Sequence, residues 1–286
     1  MKQIVVISGK GGTGKTVITG AFAALAENKV MADCDVDAAD LHLLLKPDVK
    51  ERYEFKSGKT AFIDRKLCIE CGKCVSICRF SAISDDFVVD PVSCEGCAFC
   101  SHICPTDSIK MEENTAGEWF VSETRFGPMV HAKLGIAEEN SGKLVTLVRK
   151  KAKEIAEQNK ADLVIIDGAP GIGCPVIASI SGVDCALVIT EPTLSGLHDA
   201  DRVIKVMRHF GILVKLVVNK YDLNKEMTEK IEKYCHDNNV EMLGKIGFDK
   251  SIVDAMVKGK TIIEYPEGRS KEEICKIWDR LKEKLS

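Results

Sequence analysis

A glycine-rich segment restricts the fold of this chain more than any other part of the sequence. It follows a short apolar run at 3–8 and precedes a helical pattern over 16–27, and its residues are Gly9, Lys10, Gly11, Gly12, Thr13, Gly14, Lys15 and Thr16. In this context the glycines let backbone N–H groups turn inward around phosphates, and the helix N-terminus adds partial positive charge. We expect Lys15 to contact the terminal phosphates of a nucleotide and the Thr16 hydroxyl to bind Mg²⁺. A glycine turn without a ligand is the alternative.

Apolar runs and helical patterns alternate along much of the chain. Further buried strands are predicted at 30–35, 163–167, 186–190 and 216–219, with helices at 143–158, 195–210 and 224–238. This alternation predicts an α/β fold, a doubly wound and mostly parallel sheet with helices on both faces. A last helical pattern from Ser270 has one apolar side and mixed charges on the other, which favours docking onto the sheet over binding to a membrane.

Eight of the thirteen cysteines lie between Cys68 and Cys104. They form two copies of one unit, Cys-x2-Cys-x2-Cys-x3-Cys, which consist of Cys68, Cys71, Cys74 and Cys78, and of Cys94, Cys97, Cys100 and Cys104. The N-terminus has no signal-peptide pattern, so we expect a cytoplasmic protein, in which metal binding is favoured over disulfides. Zinc sites usually show isolated Cys-x2-Cys pairs, so triplets favour four-iron clusters and leave zinc as the alternative.

The two runs resemble those of two-cluster bacterial ferredoxins. That resemblance implies two 4Fe-4S clusters, with the fourth cysteine of each run binding the cluster of the other run. One ligand set is then Cys68, Cys71, Cys74 and Cys104, and the other is Cys94, Cys97, Cys100 and Cys78. Arg79 stands where the ferredoxins have proline, which places a charge near one cluster. We expect a small α+β ferredoxin-like domain of short strands at 57–115, inserted into a P-loop ATPase domain formed by 1–56 and 116–286.

A second lysine in the glycine-rich segment, Lys10, gives a resemblance to the GKGGxGK[ST] loop of the MinD/ParA/Mrp/nitrogenase-iron-protein ATPases. The resemblance implies ATP or ADP with Mg²⁺ as ligands. It also implies a homodimer closed over two nucleotides, in which Lys10 reaches the partner's phosphates. By position, Asp35 would orient the attacking water, Asp167 would hold Mg²⁺ through a water, and Asn219 would face the adenine. The segment 168–171 resembles the switch that senses the γ-phosphate. Loop-capping roles for Asp35 and Asn219 are the alternatives.

Cys174 lies seven residues after Asp167. The nitrogenase iron protein uses a cysteine at similar spacing to hold a cluster shared across its dimer axis, together with a cysteine from an earlier loop. The corresponding stretch here, 134–142, contains no cysteine, so we favour a packed thiol. The alternative hypothesis is that Cys174 holds a transient metal, or contacts a client, with Glu138, Glu139 or His131.

The formal net charge of −3 shows no basic excess, so nucleic acid is not an expected partner. The chain as a whole resembles MinD-superfamily ATPases with an inserted ferredoxin domain. We expect a Mg²⁺-dependent ATPase, slow without its partner, whose nucleotide-driven dimer change is coupled to electron transfer or metal-cluster assembly on a redox or metalloprotein client. The alternatives are a positioning ATPase of the MinD/ParA type, and a binding protein with negligible turnover.

Overall fold

The chain divides into two compact units in the computed structural model, which describes residues 1–135 and 141–284. The larger unit consists of Met1–Tyr53, Trp119–Lys133 and Ser141–Ser286. The smaller unit consists of Glu54–Glu118 and Leu134–Asn140, and it contains all of the segment 57–115.

The described residues form nine strands in one sheet, in the order β3-β4-β5-β2-β6-β1-β7-β8-β9. All neighbouring strands from β5 to β9 in this order pair in parallel, which confirms the predicted α/β fold with a mostly parallel sheet. The strands are β1 Lys2–Ser8, β2 Lys29–Asp33, β3 Asp48–Ile63, β4 Ile109–Thr124, β5 Gly127–Leu134, β6 Leu163–Asp167, β7 Cys185–Thr190, β8 Leu213–Asn219 and β9 Glu241–Ile246.

Helices connect most of the parallel strands. The described helices are α1 Lys15–Leu25, α2 Leu41–Leu45, α3 Lys73–Ile77, α4 Phe99–His102, α5 Ser141–Gln158, α6 Cys174–Ile180, α7 Leu194–His209, α8 Lys225–Asp237, α9 Lys250–Val257 and α10 Arg269–Glu283. Among these helices, none combines the length and the apolar character that are needed to cross a bilayer.

The core of the larger unit forms on β1, which lies between β6 and β7. Its residues 4–7 are all fully buried. Because side chains alternate across a strand, Ile4 and Val6 face one side of the sheet, where they join a cluster with residues of α1, α2 and α10. In this cluster the rings of Phe22 and Trp278 lie 4.9 Å apart, so the apolar side of α10 is buried against α1.

The strands β3 and β4 differ from the prediction of short strands, because each is 16 residues long. The first seven residues of β3 are exposed and only its second half alternates toward burial. A strand with so few buried positions has no hydrophobic period by which the sequence could reveal its length. The smaller unit also contains the short helices α3 and α4, and a separate core cluster that includes Ile63, Ile83 and Ile109.

Candidate functional site

The glycine-rich segment connects β1 to α1 and lines a cavity of about 480 Å³ in the larger unit. Asp35, Pro170 and Asn219, which follow or end β2, β6 and β8, line the same cavity. The carboxyl ends of parallel strands therefore meet around the loop, which is where open α/β sheets bind their ligands. Apolar residues also line the cavity, among them Leu43, Phe248, Val253 and Met256.

The loop conformation depends on glycine at Gly14. Its φ of +89° is in the left-handed region, and a Cβ there would lie 2.3 Å from the Nδ2 atom of Asn219. That Nδ2 atom donates a 2.7 Å hydrogen bond to the carbonyl of Thr13, and the Oδ1 atom accepts from the backbone N–H of Lys220. Asn219 thus holds the loop from the end of β8. Its contact with adenine stays a prediction.

Lys15 is buried at the first turn of α1, between two carboxylates. Its Nζ atom lies 2.9 Å from Asp167 Oδ1 and 3.3 Å from Asp35 Oδ2. Burial alone would lower the pKa of Lys15, but the charges of Asp167 and Asp35 raise it to about 12. The hydroxyl of Thr19, one turn along α1, lies 2.9 Å from the same oxygen of Asp167. The lysine is therefore charged and held away from solvent by acids from two strand ends.

Two carboxyl oxygens beside Lys15 have no hydrogen-bond partner within the described ranges. They are Oδ2 of Asp33 and Oδ2 of Asp167, and both atoms are buried. Burial, followed by the charge of Asp167, raises the pKa of Asp33 well above its ordinary value. Mg²⁺ prefers oxygen ligands and is usually held by one or two carboxylates with substrate phosphates, and Thr16 is among the residues that line the same cavity. The donor set therefore fits a Mg²⁺–nucleotide complex.

Lys10, predicted to reach a partner subunit, is bound within its own chain in this structure. Its Nζ atom lies 2.5 Å from Glu191 Oε1 and 3.2 Å from Ser195 Oγ. Lys220 also pairs with Glu191, at 3.6 Å, and its Nζ donates to the carbonyl of Gly12. Glu191 thus binds two lysines at the rim of the loop.

Sequence reasoning missed Glu191 and Thr19 as parts of this site. Glu191 directly follows β7, a central strand of the parallel sheet. Ligands bind at the carboxyl ends of such strands, so an acid at this position could have been predicted to belong to the site. Thr19 lies one helical turn after Lys15, on the same side of α1. The predicted switch 168–171 packs back onto β1, since the N–H of Gly171 donates to the carbonyl of Ser8.

The eight clustered cysteines line two small cavities in the smaller unit. One cavity is bordered by Cys68, Cys71, Cys74 and Cys104, and the other by Cys78, Cys94, Cys97 and Cys100. The fourth cysteine of each run thus lies with the first three of the other run. Apart from Lys73 at the first and Glu95 at the second, the cavity walls are uncharged, and they include Ile63, Ile69 and Phe87 at the first and Ile77, Phe80 and Phe99 at the second.

Within the described part of the chain, no three His, Cys, Asp or Glu side chains are grouped closely enough to hold one metal ion. A cubane cluster has a different geometry, because each thiolate binds a different iron atom and the four sulfurs stand farther apart. The donor chemistry, four thiols around each of two cavities, fits such a cluster. Iron binding by these cysteines stays a prediction.

Cys174 begins α6 and is exposed, so the structure does not bury it as a packed thiol. His131 is buried on β5, where its Nε2 atom lies 2.9 Å from the Ser122 hydroxyl and its ring stacks on Phe120. Burial, with a smaller effect of His42, lowers the pKa of His131 to about 4. The other suggested partners, Glu138 and Glu139, lie outside the described residues.

The sequence and fold are similar to those of known proteins. The sequence model of the CobQ/CobB/MinD/ParA nucleotide binding domain matches residues 4–262. An uncharacterized protein of Methanocaldococcus jannaschii is 34% identical over 98% of this chain and 96% of that protein. The pyruvate synthase subunit PorD of Methanothermobacter marburgensis is 34% identical over 71 residues, which are 22% of this chain and 88% of that subunit.

Solved structures share the fold at low sequence identity. The septum site-determining protein MinD of Pyrococcus horikoshii, complexed with Mg-ADP, superposes with a TM-score of 0.61 at 18% identity, over 100% of this chain and 97% of that one. This likeness concerns the fold, whereas the family model spans most of the sequence and includes the loop and the strand ends around Lys15. The chain therefore belongs to the CobQ/CobB/MinD/ParA family of nucleotide-binding domains.

Proposed function

We propose that this chain is a cytoplasmic, Mg²⁺-dependent ATPase that carries two 4Fe-4S clusters. In this proposal a nucleotide-driven change in a homodimer is coupled to electron transfer to a partner metalloprotein, or to cluster assembly on it. The observation that carries the proposal is the sorting of eight cysteines into two sets of four, each around its own cavity, in a chain with a phosphate-binding loop.

The ligands of the proposed clusters are the two cysteine sets. Bound there, the clusters would supply one-electron transfer chemistry. Apolar residues line much of each cavity, while Cys71 and Cys97 are exposed. The local dielectric and the access of solvent to the sulfurs both affect the reduction potential. The similarity to the PorD subunit over 71 residues supports a separable module of about this size within the chain.

The nucleotide chemistry would begin with a change of partners at Lys15. In the structure its charge balances Asp167 and Asp35, and a bound nucleotide would draw the ammonium toward the phosphates while Mg²⁺ takes over the charge beside the acids. Burial raises the pKa of Asp35, which suits a carboxylate that accepts a proton from, or orients, an attacking water. Lys10 would leave Glu191 and reach the nucleotide of the partner subunit.

The chain itself offers a route between the two chemistries. From Asp35 it runs through α2 into β3, and β3 passes from the larger unit into the smaller one at Glu54. A nucleotide-dependent shift of the segment around Asp35 would therefore act on the strand that leads to the cysteine module.

Anaerobic spectroscopy of the purified full chain tests the proposal. We expect about eight iron atoms per chain, and cluster signals or partner reduction that differ between ADP and a non-hydrolysable ATP analogue. The variant Lys15→Met should retain the iron and lose the nucleotide effect. Iron far below eight would contradict the cluster assignment, and full iron with no nucleotide effect in the wild type would contradict the coupling.

A positioning ATPase is the second candidate, supported by the fold that the chain shares with MinD. That function predicts ATP-dependent co-sedimentation with lipid vesicles or DNA, whereas the proposed function predicts none. A binding protein with negligible turnover is the third candidate. Phosphate release measured with and without reductant separates it from an ATPase.

A further inference from the structure

The two cysteine runs of the smaller unit have matching backbones around their fourth cysteines. The N–H of Ser81 donates to the carbonyl of Cys78 at 3.3 Å, and the N–H of Asp107 donates to the carbonyl of Cys104 at 3.4 Å. Ser81 and Asp107 both have positive φ, +52° and +49°. The isoleucines that follow each turn are each 5% exposed. The repeat is therefore structural, and differences between the two sites lie in their side chains.

One buried side chain breaks this repeat beside the sulfurs. Ser108 lies four residues after Cys104, and Ala82 occupies the matching position four residues after Cys78. Each of these residues is 2% exposed. The Oγ atom of Ser108 lies 3.1 Å from the Cys104 sulfur. The backbone N–H of Ala82 donates to the Cys78 sulfur at 3.4 Å, and the backbone of Ser108 bonds to the Cys104 sulfur as well. The Cys104 sulfur thus has a close hydroxyl partner in Ser108, which Ala82 cannot supply to the Cys78 sulfur.

A thiolate bound to iron has no proton, so the hydroxyl of Ser108 would donate to the sulfur. A hydrogen bond to sulfur stabilises the added negative charge of the reduced cluster and raises its reduction potential. A second hydroxyl, from Thr106, lies 3.7 Å from the same sulfur, while Phe80 occupies the matching position in the other run. Arg79 directly follows Cys78, and its positive charge would raise the reduction potential of the other site. Its side chain is exposed, however, so water and salt screen that charge.

We propose that Ser108 makes the two sites unequal, so that the site of Cys68, Cys71, Cys74 and Cys104 has the higher reduction potential and accepts the first electron. The site of Cys78, Cys94, Cys97 and Cys100 is then the stronger reductant. This inference rests on the proposed presence of two clusters, and it adds a direction to electron movement within the module.

An anaerobic redox titration of the full chain, followed by electron paramagnetic resonance, tests the inference. The wild type should show two midpoints. Ser108→Ala should lower the higher midpoint and leave the lower one in place, and Ala82→Ser should raise the lower midpoint. Ser101→Ala is the matched control, because the hydroxyl of Ser101 donates to the carbonyl of Ile109 and not to a sulfur, so both midpoints should stay unchanged.

Iron content separates the possible failures. About eight irons per chain with a single shared midpoint, or with midpoints that neither variant moves, would overturn the role of Ser108 and leave the proposed function intact. Iron far below eight in the wild type would overturn the proposed function, and this inference with it. If Ser108→Ala loses iron, the midpoints of Ala82→Ser decide, since that variant keeps every wild-type hydroxyl.

Discussion

Lys15 is the residue on which the charge balance of the nucleotide site depends. Its ammonium group is buried with Asp35 and Asp167 on either side, and Asp33 lies close behind them with a raised pKa. Removing one partner of a buried ion pair leaves the other charge without compensation, which is costly. Before nucleotide binds, Lys15 therefore acts as the cation that lets three acids share one small volume.

Replacing Lys15 with methionine should lower the free energy of unfolding by about 3 kcal/mol at pH 8. The buried carboxyl groups of Asp33 and Asp35 already have raised pKa values, and without Lys15 these values rise further. A carboxyl group whose pKa is raised in the folded state stabilises the fold at low pH, and this contribution is lost as pH rises. The loss of unfolding free energy in the variant should therefore be smaller at pH 5 than at pH 8. Urea unfolding at both pH values measures this.

Lys10→Met is the matched control for that measurement. The Lys10 side chain is 33% exposed, and exposed ion pairs contribute less than about 1 kcal/mol. A deficit in Lys15→Met that is equal at pH 5 and pH 8 would show that the carboxyl groups do not respond as described.

Five strands of the larger unit, β1, β2, β6, β7 and β8, were predicted from short apolar runs, whereas β5 and β9 were not predicted. The segment 163–167 forms β6 with the predicted bounds, because a short apolar run that ends in Asp167 fits a buried strand of a parallel sheet. The early residues of β3 gave no such signal, since they are exposed. The loop residues and the cysteines could be named from their spacing. Glu191 could not be assigned to Lys10, because contacts between distant segments leave no local pattern.

The helix α10 is held to the larger unit by its apolar side. Trp278 is 7% exposed and packs on Phe22 of α1, the helix that begins at Lys15. Trp278→Ala should therefore lower the free energy of unfolding by about 3–5 kcal/mol, through lost burial and a cavity. Asp279→Ala, an exposed change on the same helix, should stay within about 0.5 kcal/mol. Urea unfolding followed by circular dichroism compares the two, and equal effects would place α10 outside the core.

At the scale of the whole molecule, the contact between Lys10 and Glu191 should oppose dimer closure. Lys10 must leave Glu191 before it can reach the nucleotide of a partner subunit, and a partly exposed ion pair of this kind contributes about 0.5–1 kcal/mol. Both subunits of the dimer must break this pair, so the two contributions add to about 1–2 kcal/mol. Glu191→Gln should therefore tighten ATP-dependent dimerisation about five- to thirtyfold, as measured by analytical ultracentrifugation. Glu226→Gln, which removes an exposed pair with Lys230 on α8, is the control and should have no effect. The proposed dimer needs Lys10 at the nucleotide of the partner subunit and not at Glu191. Unchanged or weaker dimerisation of Glu191→Gln would therefore mean that Glu191 does not restrain this lysine.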